Sequence, residues 1–259
     1  MSNTIVMIHG MWGSSWYWEN YKSFFEKKGY RCITPVLRYH DMDPDAQPNP
    51  ELGKISLLDY ANDLEKEINK LDEKPIIMGH SMGGLLAQIL GSRGNAKALV
   101  LLTPASPRGI LALKPSVIKS FFGVMTKWGF WRRPNRISFK AAVYSMMHLL
   151  DEKEQKSAYK NYVYESGRAA SEIGFWLFDR KKASKVDESK VTCPVLVISG
   201  AEDRITPASV VKNVAKKYKN VSTYKEFVNN AHWVIGEPGW QEIADYVSDW
   251  LDQKLLKPL

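Results

Sequence analysis

The chain has 259 residues, of which 44% are hydrophobic and 25% charged, with a net charge of +8. These values are typical of a folded globular protein and exclude a disordered or fibrous chain. No apolar run reaches the ~20 residues that a membrane-spanning helix needs. Residues 1–4 lack the basic and apolar regions of a signal peptide. We therefore expect no transmembrane segment and no secretory leader.

The chain has two cysteines, Cys32 and Cys193, both at the edges of predicted strands. We expect a pair of buried free thiols rather than a disulfide, because the two cysteines do not form the closely spaced set that is typical of disulfide-rich proteins. Free thiols persist in a reducing compartment, so the sequence predicts a cytoplasmic location.

The positive charge is concentrated in one part of the chain. Residues 74–150 contain no Asp or Glu, and the basic residues of one segment there are Arg108, Lys114, Lys119, Lys127, Arg132, Arg133, Arg136 and Lys140. One interpretation is a solvated basic face. The other is weak attraction to an anionic substrate or lipid surface. No recognised nucleic-acid-binding motif accompanies the charge, so nucleic acid is not an expected partner.

Strand-like and helix-like segments alternate from the first residues, as in a parallel sheet covered by helices. The first part of the chain is predicted to contain a strand at 5–8, a helix at 15–28, a strand at 30–34, a loop at 38–53, a helix at 56–71, a strand at 75–79, a helix at 82–91 and a strand at 97–103. Ser56 is the expected cap of its helix, with Asp59 completing a capping box.

The alternation stops after residue 105 and resumes near residue 189. The intervening segment is rich in aromatic residues and methionine at helical spacing and contains no β-run, which predicts an inserted helical cap. Beyond it we expect a strand at 194–199, a helix at 207–217, a strand at 221–227 and a helix at 239–255. The predicted division is a core domain of residues 1–105 and 189–259 and a cap of residues 106–188.

The pentapeptide Gly79-His80-Ser81-Met82-Gly83 fits the pattern Gly-x-Ser-x-Gly and lies between a predicted strand and a predicted helix. This context is the one in which the pattern forms a nucleophile elbow, with the serine at the tip of a strained turn. Side chains at Gly79 and Gly83 would clash in so tight a turn. We therefore predict that Ser81 is a nucleophile.

A serine hydroxyl needs an adjacent base near neutral pH. Of the five histidines, His232 follows the last predicted strand, at the end of the sheet where ligands bind in such folds. The others have different predicted places: His9 and His80 in tight turns, His40 in the long loop and His148 in the cap. His232 is the predicted base.

The base in turn needs a carboxylate to hold its tautomer and stabilise its charge. Two neighbouring acids, Glu202 and Asp203, follow the penultimate strand. Asp203 is preferred by its position three residues after Gly200 and four before Pro207, and Glu202 is expected to face solvent. The chain order serine, acid, histidine is that of α/β-hydrolases rather than of trypsin-like or subtilisin-like proteases.

The oxyanion of a tetrahedral intermediate needs preorganised donors. We predict the backbone N–H of Met82, at the start of the elbow helix, and that of Met11, in the loop after the first strand. Trp12 is expected to form a wall of the substrate pocket. His80 and Trp233 are further candidates for that pocket.

Together, His9-Gly10, the elbow around Ser81, the segment from Gly200 to Pro207, and Ala231-His232 resemble the α/β-hydrolase superfamily over nearly the whole chain. The resemblance implies a mostly parallel sheet flanked by helices, with a helical cap between the sixth and later strands. Family members usually begin with an antiparallel hairpin, which this chain starts too late to contain. We therefore expect six parallel strands. The segment 9–18 is also locally similar to compact esterases and hydroxynitrile lyases.

Serine at the elbow argues against haloalkane dehalogenases and epoxide hydrolases, which use aspartate there, and against dienelactone hydrolases, which use cysteine. No metal-binding or phosphate-binding motif occurs, so neither a metal nor another cofactor is expected. The sequence predicts a carboxylic ester hydrolase that acts through an acyl-enzyme, with a small-molecule acyl or aromatic ester as substrate. A carbon–carbon bond hydrolase or lyase with the same triad, and a ligand receptor with negligible turnover, are the alternatives.

Overall fold

A computed structural model describes residues 3–255. Residues 1–2 and 256–259 lie outside the described residues. The N-terminal residues in which no signal peptide is predicted, and both ends of the predicted core domain, fall partly in these ranges. Among the described helices, none is long and apolar enough to cross a membrane.

The first part of the chain alternates strands and helices as predicted. In chain order it forms β1 (Thr4–Ile8), a 3₁₀ turn (Ser15–Trp18), α1 (Glu19–Lys27), β2 (Arg31–Ile33), a 3₁₀ turn (Pro50–Lys54), α2 (Leu57–Ile68), β3 (Ile76–His80), α3 (Met82–Ser92) and β4 (Ala98–Leu102). The predicted capping box is present, since Ser56 and Asp59 each bond the other's backbone. Two predictions were too simple: the helix at 15–28 begins as a 3₁₀ turn, and the loop at 38–53 ends in one.

The chain between β4 and the fifth strand of the sheet forms the cap. It contains α4 (Pro115–Met125), a 3₁₀ turn (Phe130–Arg132), β5 (Pro134–Asn135), α5 (Phe139–Met146), α6 (Glu152–Lys160), β6 (Glu165–Ser166), α7 (Gly167–Gly174) and a 3₁₀ turn (Glu188–Lys190). The cap is mainly helical, as predicted, and it also contains a short antiparallel pair, β5 and β6, that the sequence did not predict. Two-residue strands are too short to show any alternation in the sequence.

The chain then returns to the sheet. It forms β7 (Val195–Gly200), α8 (Ala208–Lys217), a 3₁₀ turn (Lys219–Val221), β8 (Ser222–Phe227) and α9 (Trp240–Leu255).

The main sheet has six strands in the order β2-β1-β3-β4-β7-β8. Every pairing in it is parallel, which confirms the predicted fold class. Every residue of β1, β3, β4 and β7 is buried, and this explains their continuous apolar runs, since helices cover both faces of such a sheet. The cap follows the fourth strand of this sheet rather than the sixth, because the family's opening hairpin has no counterpart among the described residues.

The strand order places the site. In the sheet, β1 lies between β2 and β3. The chain runs from β1 to β2 on one side of β1 and then crosses to β3 on the other side. In open parallel sheets such a switch point leaves a crevice at the carboxyl ends of the strands, where ligands bind. The loop after β1 and the turn after β3 both open into this crevice.

The cap is fastened to the core through buried polar contacts. The Glu165 carboxylate accepts a hydrogen bond from Tyr60 at 2.9 Å and lies 3.1 Å from His40 Nε2. The Glu172 carboxylate accepts from Ser56 Oγ and from the Leu57 N–H, both at 2.8 Å. The exact division into core and cap stays a prediction, but these contacts fix the cap over the sheet.

Candidate active site

Ser81 sits in a strained turn between β3 and α3. Its φ of 55° and ψ of −119° are unusual for a residue with a side chain. The turn is held by its own carbonyl, which accepts from the N–H groups of Gly84 at 2.9 Å and Ala105 at 2.8 Å. Strain of this kind persists only where the surrounding structure determines it, and it is concentrated at functional sites.

The two glycines of the pentapeptide are required by close backbone contacts. A Cβ on Gly79 would lie 2.2 Å from the Gly83 carbonyl oxygen, and one on Gly83 would lie 2.0 Å from the Ile8 carbonyl oxygen. Both distances are far below van der Waals contact. The elbow therefore packs directly against the end of β1 and brings Ser81 beside the loop that follows this strand.

His232 and Asp203 form a buried pair. His232 Nδ1 lies 2.8 Å from Asp203 Oδ2, and neither side chain is exposed to solvent. With Nδ1 donating to the carboxylate, Nε2 carries the lone pair. No described residue bonds this buried Nε2. His232 and Ser81 line the same cavity. The free Nε2 of His232 can therefore accept a proton from a group in that cavity.

The Asp203 carboxylate is held in place by three further donors. Its Oδ1 accepts from the backbone N–H groups of Ile205 and Thr206, each at 2.8 Å, and its Oδ2 accepts from the Thr206 hydroxyl at 2.7 Å. Burial alone would raise the pKa of Asp203, but the His232 ring and the hydrogen bonds from Thr206 hold it below its ordinary value. The carboxylate stays ionised, which is the state that stabilises a positive imidazole.

The neighbouring acid has a different environment. The Glu202 side chain is half exposed, and its carboxylate lies 3.9 Å from Nε2 of His148 in the cap. It makes no contact with His232 among the described hydrogen bonds. The geometry thus favours Asp203 over Glu202 as the partner of the histidine.

His80 holds the loop that carries His232. It is fully buried, and its Nε2 donates to the His232 carbonyl at 2.8 Å. Burial, with a smaller contribution from the nearby His232, lowers the pKa of His80 to about 3. A neutral His80 fixes the backbone of His232 without placing a second charge beside it. His80 also lines the cavity.

The two remaining histidines of the core have structural contacts. His9 Nδ1 donates to the Gly10 carbonyl at 2.8 Å, and its Nε2 accepts from the Leu37 N–H at 3.1 Å. His40 is occupied by Glu165, as described above. Neither ring has a nitrogen left for proton transfer in the cavity.

Two backbone N–H groups at the cavity are the predicted donors to an oxyanion. Met82 is the first residue of α3, where an N–H has no acceptor within the helix. Met11 lies in the loop after β1, and none of the described backbone hydrogen bonds uses its N–H. The Tyr17 hydroxyl fixes that loop by donating to the Met11 carbonyl at 2.9 Å. All three residues line the cavity.

Trp12 lies where the sequence predicts it, in the cavity wall, whereas Trp233 does not. Trp12 is 1% exposed, has a positive φ of 60°, and donates from Nε1 to Asn135 Oδ1 of the cap at 3.3 Å. Trp233 is missing from the described cavity wall. It packs behind the wall, edge-on to Tyr17 with ring centroids 4.4 Å apart, because the loop after β8 turns His232 and not its neighbour towards the cavity.

The cavity between core and cap has a volume of about 130 Å³. The core contributes its polar floor around Ser81 and His232. The cap contributes an apolar roof that includes Val117, Phe121, Val124, Phe130, Met146 and Ile173. A small polar centre under an apolar roof suits a ligand with one polar group and an apolar body.

Two residues of the site escape sequence reasoning. Thr206 is part of the segment that contains Asp203, but its hydroxyl contacts become visible only in three dimensions. Glu237 is 1% exposed, and its Oε1 accepts from the Ala231 N–H, next to His232, at 2.6 Å. Burial raises the pKa of Glu237 to about 7. A carboxylate five residues after the predicted base was the available signal.

Comparison with known proteins identifies the family of the chain. The alpha/beta hydrolase fold family matches residues 3–238, and the chain belongs to this family. The parallel six-stranded sheet flanked by helices is consistent with the fold of this family.

Among individual relatives, Methylesterase 4 of Arabidopsis thaliana is 32% identical over 108 residues, which is 39% of this chain and 39% of the relative. The chain thus matches about two fifths of that relative's length. A methylesterase structure from Arabidopsis has a TM-score of 0.72 at 12% identity and covers 96% of this chain and 99% of its own. A pyrethroid hydrolase structure from Sphingobium faniae has a TM-score of 0.73 at 16% identity and covers 97% and 98%. At these identities the two structures show a common fold.

Proposed function

We propose that the protein is a serine hydrolase that cleaves carboxylic esters through an acyl-enzyme intermediate. The observation that carries the proposal is the pairing of His232 Nδ1 with the buried Asp203 carboxylate at 2.8 Å, while Nε2 is left free in the cavity that Ser81 lines. A neutral histidine in this tautomer is what a serine nucleophile needs from its base.

Each residue has one role in the proposed reaction. His232 Nε2 takes the Ser81 proton while Ser81 Oγ attacks the ester carbonyl. The N–H groups of Met11 and Met82 bind the resulting oxyanion. The imidazolium, stabilised by Asp203, then returns the proton to the departing alcohol. Water repeats the sequence on the acyl-enzyme, with His232 as base, and releases the acid.

The cavity and the relatives together favour a small apolar ester. A volume of about 130 Å³ is comparable to engineered apolar cavities that hold one aromatic ring. The curated relative and one matching structure are named methylesterases, which supports an ester with a small alcohol group. Trp12 and Phe121, whose ring centroids are 6.0 Å apart, would contact the apolar part of the substrate.

The proposed partner is a small molecule, and we propose no role for nucleic acid. The two cysteines are unpaired and partly rather than fully buried, which supports the proposed reducing, cytoplasmic location. The proposal treats residues 106–188 as a cap that shapes the pocket and the remaining chain as the catalytic core.

The direct test is hydrolysis of a panel of methyl and p-nitrophenyl esters of increasing acyl length, compared between wild type and Ser81→Ala. We expect turnover of short or aromatic esters by wild type and none above background by the variant. Activity that survives in Ser81→Ala would overturn the proposal. Negligible turnover of the whole panel, with a ligand-induced rise in melting temperature, would favour a ligand receptor instead.

A further inference from the structure

Exposed apolar side chains are concentrated on the cap. Among the described residues, the large hydrophobic side chains exposed by 58% or more are all in the cap except Val228. These cap residues are Leu111, Leu113, Phe122, Trp128, Leu177 and Phe178, and we call them the cap patch. A group of this kind on a soluble surface marks a site of contact with another apolar surface.

The cap patch is continuous with the rim of the cavity. Leu111 and Leu113 also line the cavity, and α4 turns Phe121 towards the cavity while Phe122 points to solvent. An apolar molecule on the patch therefore reaches the cavity without leaving apolar surface.

The part of the patch beyond α4 is connected in the same way. Trp128 packs on Trp131 with ring centroids 5.4 Å apart. Trp131 in turn shares a surface groove with Phe178. The patch thus extends from the cavity rim across α4 to the segment after α7.

Unpaired cations surround the patch. Lys114, Lys119, Lys127, Arg132 and Arg133 are exposed, and none has a carboxylate within 4.0 Å among the described ion pairs. The segment of residues 74–150 that carries them contains no acid.

The segment that carries Phe178 is also mainly basic. Asp179 is the only acid in residues 173–186. Its carboxylate accepts from the N–H groups of Lys181 and Ala183, at 2.9 Å and 2.6 Å. The Lys181 and Lys182 side chains stay exposed. Cations therefore outnumber carboxylates along the border of the patch, where Asp179 lies among several lysines and arginines.

We propose that the cap patch docks the protein on an anionic lipid surface. Apolar side chains that enter the acyl boundary, with tryptophan among them and lysine and arginine at the headgroups, are the features of interfacial binding. A mainly positive border around an apolar centre matches a bilayer with anionic headgroups. The docked cavity rim opens on the lipid, so the ester that the proposed function requires enters directly from it.

Vesicle co-sedimentation tests the docking without using catalysis. Full-length Ser81→Ala protein is mixed with vesicles of phosphatidylcholine alone or with phosphatidylserine. We expect strong binding to the anionic vesicles that weakens as salt is added. Replacing Phe122, Trp128 and Phe178 together by serine should weaken this binding by roughly a hundredfold. The control Val36→Ser/Val228→Ser removes exposed apolar side chains outside the cap and should bind as the parent does.

A second set of variants, in which lysine or arginine is replaced by glutamine, measures the contribution of charge to the binding. Lys114→Gln/Lys127→Gln/Arg132→Gln should lower affinity for anionic vesicles by roughly a hundredfold and leave binding to neutral vesicles unchanged. The matched control Lys27→Gln/Lys66→Gln/Lys216→Gln removes exposed lysines from the core and should have a much smaller effect.

The docking proposal is overturned if the parent does not bind anionic vesicles, or if cap and control variants bind equally. It is also overturned if the protein is a dimer without lipid and the Phe122, Trp128 and Phe178 variant is a monomer, since a second copy then covers the patch. Failure of the proposed esterase activity would leave vesicle binding by Ser81→Ala intact, so the two failures are distinguishable.

Discussion

His232 Nδ1 lies 2.8 Å from Asp203 Oδ2, and both side chains are closed off from solvent. The contact joins the loop after β7 to the loop after β8, neighbouring strands of the sheet. Because both loops leave the same edge of a parallel sheet, the fold itself brings the acid and the base together.

Asp203→Asn should lower kcat by about 10⁴-fold, the loss that the same substitution causes in a serine protease triad. The amide favours the wrong histidine tautomer and cannot stabilise the imidazolium. Steady-state hydrolysis of a short p-nitrophenyl ester measures the effect. Glu202→Gln is the control and should stay near wild type, because Glu202 is half exposed. The reverse result would assign the acid to Glu202.

Thr206→Val should lower kcat by about tenfold to a hundredfold, since it removes a hydroxyl bonded to the Asp203 carboxylate at 2.7 Å and bonds to charged groups contribute about 1.5–3 kcal/mol. Thr206→Ser keeps the hydroxyl and should retain most of the activity. Kinetics at matched folded fraction, checked by melting temperature, test the pair. Equal losses in the two variants would mean that the methyl group, and not the hydroxyl, matters.

Gly83→Ala should destabilise the fold by about 3 kcal/mol or more, because its Cβ would lie 2.0 Å from the Ile8 carbonyl oxygen. Gly123→Ala provides the matched control within another helix. Nothing lies within 4 Å of its Cβ, and alanine should stabilise α4 by about 0.5–1 kcal/mol. Urea unfolding measures both. A Gly83→Ala protein as stable as wild type would show that the elbow is less tightly packed than described.

Glu237→Gln should change the pH dependence of stability. The pKa of Glu237 is raised from 4.5 to about 7 in the folded protein, so the folded state holds this proton more tightly than the unfolded state does. The contribution to stability is complete below pH 4.5 and is lost as pH rises through 7. Relative to Glu237→Gln, which keeps the acceptor for Ala231, wild type should lose roughly 3 kcal/mol over this interval.

Urea unfolding of both proteins below pH 4.5 and above pH 7 makes that comparison. If the free energies of unfolding of the two proteins change equally with pH over this interval, Glu237 does not have a raised pKa in the folded protein.

The sequence predicts the sheet and the three principal site residues because their signals are local. Ser81 stands in a five-residue pattern between a strand and a helix, Asp203 follows the buried strand β7, and His232 follows the edge strand β8. Parallel order then fixes their common edge without further information. The core of the sheet was predictable for the same reason, since β1, β3, β4 and β7 are buried and mostly apolar.

Features that depend on contacts distant in sequence could not be predicted. The pairing of Asn135 with Glu165 joins segments 30 residues apart, and Trp233 faces away from the cavity because of how one loop turns. Glu237 stands five residues after His232, but nothing in the sequence indicates that its carboxylate is buried. The roles of such residues depend on how distant segments pack together, and local sequence patterns do not contain this information.

The acyl-enzyme on Ser81 can be detected by mass spectrometry of protein quenched in acid early in the reaction with p-nitrophenyl acetate. We expect a mass increase of one acetyl group, mapped to the peptide that contains Ser81 and absent in Ser81→Ala, with a matching burst of p-nitrophenol. Turnover without any such adduct, or an adduct on another residue, would contradict an acyl-enzyme on Ser81 and favour lyase-type chemistry or a different nucleophile.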